Sequence, residues 1–91
     1  METNLPTRHK LDVFISAHCW QCPEARRLAQ EAQTEFSALM VNVIDLDQPN
    51  ALKPAFVFSV PTFVLDDKVI SLGTPTREHL DQKIRQALQM E

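Results

Sequence analysis

The two cysteines of this 91-residue chain, Cys19 and Cys22, are separated by only two residues. An apolar segment, residues 11–15, precedes them, and a segment with helical periodicity follows. A cysteine at a helix start lies beside backbone N–H groups that lack intrahelical partners and beside the positive end of the helix dipole. Both features favour a thiolate, which is the nucleophile in disulfide exchange. We therefore predict that Cys19 is the nucleophile and that Cys22, one turn along, resolves the mixed disulfide.

Four other residues are predicted to support this chemistry. A protonated His18 imidazole would stabilise the adjacent Cys19 thiolate and thus tune its pKa. Trp20, between the cysteines, offers apolar contact area for a protein substrate. Pro61 interrupts a long apolar segment and cannot lie inside a strand ladder. It therefore leaves the Val60 backbone available to pair with an extended substrate chain, so Trp20, Val60 and Pro61 are predicted to bind substrate.

Charge and composition narrow the class of protein. The net charge of −3 and the pI near 5.5 argue against nucleic-acid and anionic-membrane partners. No apolar segment approaches the roughly 20 residues that a membrane span requires. The N-terminus lacks the basic and apolar regions of a signal peptide, and two cysteines are too few for a disulfide-stapled scaffold. We therefore expect a cytoplasmic protein with no nucleic-acid or membrane partner.

Residue patterns predict one domain at residues 10–91, preceded by a polar arm at residues 1–9. A strand, a helix and a strand within about 35 residues form a right-handed, parallel βαβ unit. Asp66–Asp67 marks a tight hairpin turn. The last helix is predicted to start at Thr74–Pro75. The predicted elements are a strand at 11–16, a helix at 22–39, a strand at 41–46, a short helix at 50–55, a hairpin of strands at 62–65 and 68–72, and a final helix whose apolar stripe comprises Leu80, Ile84, Ala87 and Leu88.

Two short motifs resemble the paired signatures of the thioredoxin-like superfamily. They are Cys19-Trp20-Gln21-Cys22 after the first strand and Val60-Pro61-Thr62 before the third, and the match of order and spacing extends over residues 10–89. The resemblance implies an α/β fold, β-α-β-(α)-β-β-α, with a central four-stranded mixed sheet flanked by helices. It also implies that a cis peptide bond precedes Pro61 and that this proline faces the cysteine pair.

The same resemblance implies a thiol–disulfide oxidoreductase that needs no cofactor and no metal. Its substrates would be protein or peptide disulfides, and its electrons would come from a reductase or from small thiols. Two alternatives remain open. One is a metal or iron–sulfur binding protein that uses Cys19 and Cys22, with His18 as a further candidate ligand, and that is completed by a dimer partner or an external thiol. The other is a non-catalytic binding module that uses the pair as a redox sensor.

The chain departs from the family at two places that bear on mechanism. The buried acid that thioredoxins carry six residues before the nucleophile is replaced by Val13. Asp12 is one residue away and should lie on the opposite sheet face, so any general acid–base help must come from elsewhere. Residues 71–75 do not match the Gly-Gly-x-Asp-like segment with which glutaredoxins bind glutathione. We therefore expect a preference for protein disulfides.

Overall fold

The computed structural model describes residues 9–16, 19–49 and 60–89 of the chain. The predicted short helix at 50–55 and residues 1–8 of the predicted arm lie outside the described residues. The elements are β1 (Lys10–Ile15), α1 (Cys22–Glu35), β2 (Met40–Asp45), β3 (Thr62–Leu65), β4 (Lys68–Leu72) and α2 (Arg77–Gln89).

The four strands form one mixed sheet in the order β2-β1-β3-β4. β1 and β2 are parallel and are joined by α1, which confirms the βαβ unit. β3 is antiparallel to β1 and to β4, so β3 and β4 form the predicted hairpin. The predicted α/β fold with a four-stranded mixed sheet is therefore confirmed, and β1 lies in the interior of the sheet, where it can position the loop that follows it.

Both helices pack on the same face of this sheet. Alternate residues of β1, Leu11 and Val13, are fully buried against Leu28 of α1 and against Leu80 and Ile84 of α2. The opposite face carries a smaller cluster around Phe14 and Val64. β1 is therefore buried on the helix-bearing face through Leu11 and Val13, and on the other face through Phe14, as expected for a strand inside a sheet.

Helix α1 is shorter than the periodicity predicts. It ends at Glu35 rather than Leu39, because Phe36 leaves the helical region with φ −117° and ψ 84°. The Gln33 side chain stabilises this exit: its Nε2 donates a 2.7 Å hydrogen bond to the Leu39 carbonyl, and its Oε1 accepts a 3.0 Å bond from the Val41 N–H. Phe36 and Leu39 remain buried, which explains why the apolar stripe continues beyond the helix.

Helix α2 begins two residues later than predicted, at Arg77 instead of Pro75. The Thr76 hydroxyl accepts a 3.1 Å hydrogen bond from the His79 N–H, so Thr76 is the N-cap. The preceding Thr74–Pro75 segment is thus part of a connection that begins at Gly73, and this connection contacts the cysteine loop.

The turn between β3 and β4 is hydrogen-bonded to the start of β1. Asp66 and Asp67 have φ values of 51° and 69°, as a two-residue hairpin turn with two left-handed residues requires. The Asp66 carboxylate lies 2.6 Å from His9 Nδ1 and accepts a 2.9 Å hydrogen bond from the Lys10 N–H. The start of β1 is therefore bound to the β3–β4 hairpin, and the opposite end of the sheet carries the cysteines.

Candidate active site

The loop after β1 places the cysteine pair at the N-terminus of α1. The Cys19 N–H donates a 3.3 Å hydrogen bond to the Ser16 carbonyl, and the Cys22 N–H donates a 3.1 Å bond to the Cys19 carbonyl. This tight turn brings the two residues to a Cα–Cα distance of 5.3 Å, within the usual range for a disulfide. The two sulfurs are bonded, so the structure represents the oxidised state of a dithiol.

The two cysteines differ in exposure. Cys22 is 4% exposed and belongs to the apolar cluster between the sheet and the helices. Cys19 is partly exposed and lies outside the first helical turn. Among the described residues, the Gln21 side chain makes no capping hydrogen bond, so the helix N-terminus is not closed off by its own cap. Cys19 is thus the sulfur that an external molecule can reach.

A groove of about 340 Å³ opens in front of Cys19, and we call it the substrate groove. It is lined by Ser16, Cys19, Trp20, Gln21 and Val60. Trp20 is 85% exposed. Its ring therefore does not fold back onto the sheet but stands beside the nucleophile, where an incoming chain can contact it.

Val60 and Pro61 enter the site from the start of β3. Their peptide bond is cis, as the resemblance implies. The ladder between β1 and β3 extends only to the pair Phe14–Thr62, so the backbone of Val60 lies beyond it. Val60 lines the substrate groove, whereas Pro61 is fully buried and is not among the residues that line it.

The connection after β4 supports this arrangement through backbone groups. The Gly73 N–H donates a 2.7 Å hydrogen bond to the Pro61 carbonyl, with Gly73 at φ +100°. The Thr74 hydroxyl donates a 3.4 Å bond to the Gln21 carbonyl. The connection therefore joins the proline segment to the cysteine loop. The structure brings Cys19, Trp20 and Val60 together, while His18 lies outside the described residues.

A second cavity, of about 380 Å³, also borders the disulfide, and we call it the Asp45 cavity. Its lining consists of Ile15, Ser16, Cys19, Cys22, Pro23, Arg26 and Asp45. Our sequence analysis did not single out Asp45. The signal was present in β2, where Val41, Val43 and Asp45 alternate and so share the sheet face on which α1 packs.

Val13 occupies the position of the acid that thioredoxins carry before the nucleophile, and Asp12 faces the other way, as the sequence predicts. Val13 is fully buried and pairs with Val43 across β1 and β2. Asp12 lies on the opposite sheet face, where its Oδ1 accepts a 3.0 Å hydrogen bond from Asn42 Nδ2. Asp12 is therefore turned away from the disulfide.

A third cavity, of about 400 Å³, lies between the two helices and is remote from the disulfide. Its charged groups bind one another: Arg77 Nη1 lies 3.3 Å from Glu31 Oε1, and the Arg27 guanidinium bonds to Glu24 and Glu31. The hydrogen bond to Glu24 and its negative charge raise the pKa of Arg27. These ion pairs connect α1 to α2, and we assign them to the stability of the helix layer.

The described residues contain no group of three His, Cys, Asp or Glu side chains that could hold a metal ion. His18, the further candidate ligand of the metal-binding alternative, lies outside the described residues. In the structure both sulfurs are engaged with each other in the disulfide.

Comparisons with known proteins agree with this geometry. A family model described as "Thioredoxin domain" matches residues 9–85. "Thioredoxin" from Methanocaldococcus jannaschii is 32% identical over 81 residues, with coverage of 87% of this chain and 95% of that protein. "Probable Thioredoxin" from Archaeoglobus fulgidus is 32% identical over 78 residues, with coverage of 82% and 85%. The oxidised mitochondrial thioredoxin 3 of Saccharomyces cerevisiae superposes with a TM-score of 0.70 at 21% identity, over 88% of this chain and 79% of that one.

The chain belongs to the thioredoxin family. With a Cys-x-x-Cys disulfide in the family's position, it is a thiol–disulfide oxidoreductase that acts on protein disulfides. Family membership points to protein disulfides as substrates and to reductases as partners in general. Within the described part of the chain, neither helix has the length and apolar character needed to cross a membrane.

Proposed function

We propose that Cys19 attacks the substrate disulfide and that Cys22 resolves the resulting mixed disulfide. The observation that carries this assignment is the unequal exposure of the pair. Cys19 opens onto the substrate groove at the positive end of α1, whereas Cys22 is 4% exposed. An external disulfide therefore meets Cys19 first, and helix-end electrostatics favour the thiolate at that position.

The reaction proceeds by two exchanges. The Cys19 thiolate attacks one sulfur of the substrate, and the other substrate sulfur leaves as a thiolate. Cys22 then attacks Cys19, which releases the second substrate thiol and forms the Cys19–Cys22 disulfide that the structure contains. A partner reductase or a small thiol returns two electrons. We further propose that a protonated His18 favours the Cys19 thiolate and that the protein works in a reducing compartment, the cytoplasm, as a chain with two cysteines suggests.

The substrate groove favours an extended polypeptide over glutathione. Trp20 supplies apolar contact, and Val60 precedes β3 with its backbone outside the ladder, where a substrate strand can pair. Residues 71–75, at the place of the glutathione-binding segment of glutaredoxins, are hydrogen-bonded within the protein here. Ser71 Oγ donates a 2.9 Å hydrogen bond to the Gly73 carbonyl, and the Gly73 N–H is bonded to Pro61. These groups are used within the protein, so they do not offer a free carboxylate-binding site.

The assignment is tested by trapping with two matched serine variants. Reduced Cys22→Ser and Cys19→Ser proteins are mixed with a protein disulfide such as insulin, and covalent adducts are counted by mass spectrometry without reductant. We expect Cys22→Ser to accumulate a mixed disulfide that dithiothreitol releases, and Cys19→Ser to form none. Adducts on Cys19→Ser alone, or faster alkylation of Cys22 than of Cys19 in the reduced wild type, would reverse the assignment.

A further inference from the structure

The Asp45 cavity contains a carboxylate that the two exchanges described above do not use. Among the described residues that line it, Asp45 is the only carboxylate, and it shares the cavity with the sulfur-bearing residues Cys19 and Cys22. The cavity is about 380 Å³, which is roomy enough for several water molecules. The polar groups of Ser16, Arg26 and Asp45 beside a buried cysteine point to a role in proton movement.

We propose that Asp45 accepts the thiol proton of Cys22 through cavity water when Cys22 resolves the mixed disulfide. The proposal rests on the assignment of Cys22 as the resolving thiol. A proton acceptor is needed at this point, because an apolar environment disfavours the thiolate and only the thiolate attacks. Cys22 is 4% exposed and has Ala25 and Leu28 in its cluster, so bulk water cannot serve it freely.

The strand pairing explains why the Asp45 carboxylate lies near the two cysteines. β1 and β2 are parallel, and Asp45 is paired with Ile15, the last residue of β1 before the cysteine loop. Side chains of paired residues lie on the same sheet face. Because Ile15 packs in the cluster that contains Cys22, Asp45 is directed to the same side. The Asp47 N–H donates a 2.9 Å hydrogen bond to Asp45 Oδ1, which orients the carboxylate at the strand end.

The charged and titratable surroundings of Asp45 are few in the described part of the chain. From α1, the cationic side chain of Arg26 lines the same cavity. Ile15 at the end of β1 and Ser16 directly after it also line the cavity and carry no charge. Asp47 follows in the turn after β2, and Asp12 lies on the opposite face, bonded to Asn42.

The proton and electrons balance as follows. In the mixed disulfide, the Cys22 S–H proton passes to the Asp45 carboxylate, and the Cys22 thiolate attacks Cys19 Sγ. The Cys19–Cys22 bond forms while the bond from Cys19 to the substrate sulfur breaks. That sulfur leaves with the electron pair as a thiolate and takes a proton from water. The two cysteines together lose two electrons to the substrate, and Asp45 later releases its proton to solvent.

The test uses the full-length reduced protein and a dithiobis(nitrobenzoate), which releases a coloured thiolate at each exchange. Stopped-flow absorbance resolves a first phase, attack by Cys19, and a second phase, resolution by Cys22. The variants are Asp45→Asn, Asp45→Ser and Asp45→Glu, with Asp12→Asn as the matched control. Asn and Ser retain an oxygen that can accept the Asp47 N–H, so the strand end is preserved while the basic group is lost. Glu restores a carboxylate.

We expect Asp45→Asn to slow the second phase about 100-fold near neutral pH, the lower end of general acid–base effects. The first phase should stay unchanged, and the deficit should shrink at alkaline pH, where hydroxide takes the Cys22 proton. Asp45→Glu should recover much of the rate, and Asp12→Asn should match the wild type. If Asp45→Asn does not fold, Asp45→Ser is read in the same way.

Four results would overturn the proposal. The second phase could be unaffected by the loss of the carboxylate. It could be slowed equally at every pH, or slowed as much by Asp12→Asn, which would indicate a structural effect. A wild-type protein without a first phase would refute the proposed function and this inference with it, whereas a normal first phase with an insensitive second phase refutes the inference alone.

Discussion

Removal of the Trp20 ring should slow the reduction of protein disulfides and leave the reduction of small disulfides nearly unchanged. A tryptophan side chain offers about 200 Å² of surface, and Trp20 is 85% exposed. If a bound chain covers about half of the exposed part, burial at about 25 cal/mol per Å² stabilises the complex by about 2 kcal/mol. Ordering of the side chain at the interface offsets part of this. Trp20→Ala should therefore lower kcat/KM for a protein disulfide by about 1–2 kcal/mol, or about five- to thirty-fold.

The assay compares insulin reduction with reduction of a small aromatic disulfide and of a glutathionylated peptide, for wild type, Trp20→Ala and Trp20→Phe. The small disulfide should be reduced at nearly the wild-type rate, because the change leaves Cys19 and the helix end in place. Trp20→Phe should keep most of the protein-disulfide activity. Since Trp20 is exposed, the free energy of unfolding should change by less than about 0.5 kcal/mol. Equal losses on all substrates, or a wild-type preference for the glutathionylated peptide that Trp20→Ala leaves unchanged, would refute the reasoning.

Two further predictions concern stability. Gly73→Ala should lower the free energy of unfolding by about 1–2 kcal/mol in urea denaturation, because Gly73 has φ +100°, a conformation that is costly for alanine. Its N–H also donates a hydrogen bond to the Pro61 carbonyl, and an added Cβ would meet only Gln21 Oε1, at 3.9 Å, so the cost is conformational and not steric. Wild-type stability of the variant would refute this prediction. Burial, and next the negative charge of Glu35, raise the pKa of Asp81 above its ordinary value, so the folded state binds this proton more tightly and wild-type stability falls as pH rises from the ordinary pKa to the raised one. The difference in free energy of unfolding between Asp81→Asn and wild type should therefore rise in favour of the variant as pH increases across that acidic interval, and stay constant above it, despite loss of the 3.9 Å contact with Arg77. Urea titrations in which this difference falls as pH rises would contradict the assignment.

Local chemistry made several features predictable from the sequence. The Asp66–Asp67 turn and the start of β3 after Pro61 follow from the conformations that these residues favour or forbid. The ends of the helices were less predictable. The apolar stripe does not show that Phe36 leaves α1, because its burial continues after the helix has ended. The start of α2 was predicted at Thr74–Pro75, whereas the structure shows that Thr76 is the cap.

The sequence by itself determined the reactive pair, its place at a helix start and the order of the elements, because these depend on residues near one another along the chain. It also showed that the usual acid position is occupied by Val13. Only the tertiary structure decided which carboxylate lies beside Cys22. Asp45 and the cysteine loop are far apart in sequence, and they meet because parallel pairing places Asp45 beside Ile15. A shift of that register by one residue would turn Asp45 to the opposite sheet face, since side chains alternate along a strand.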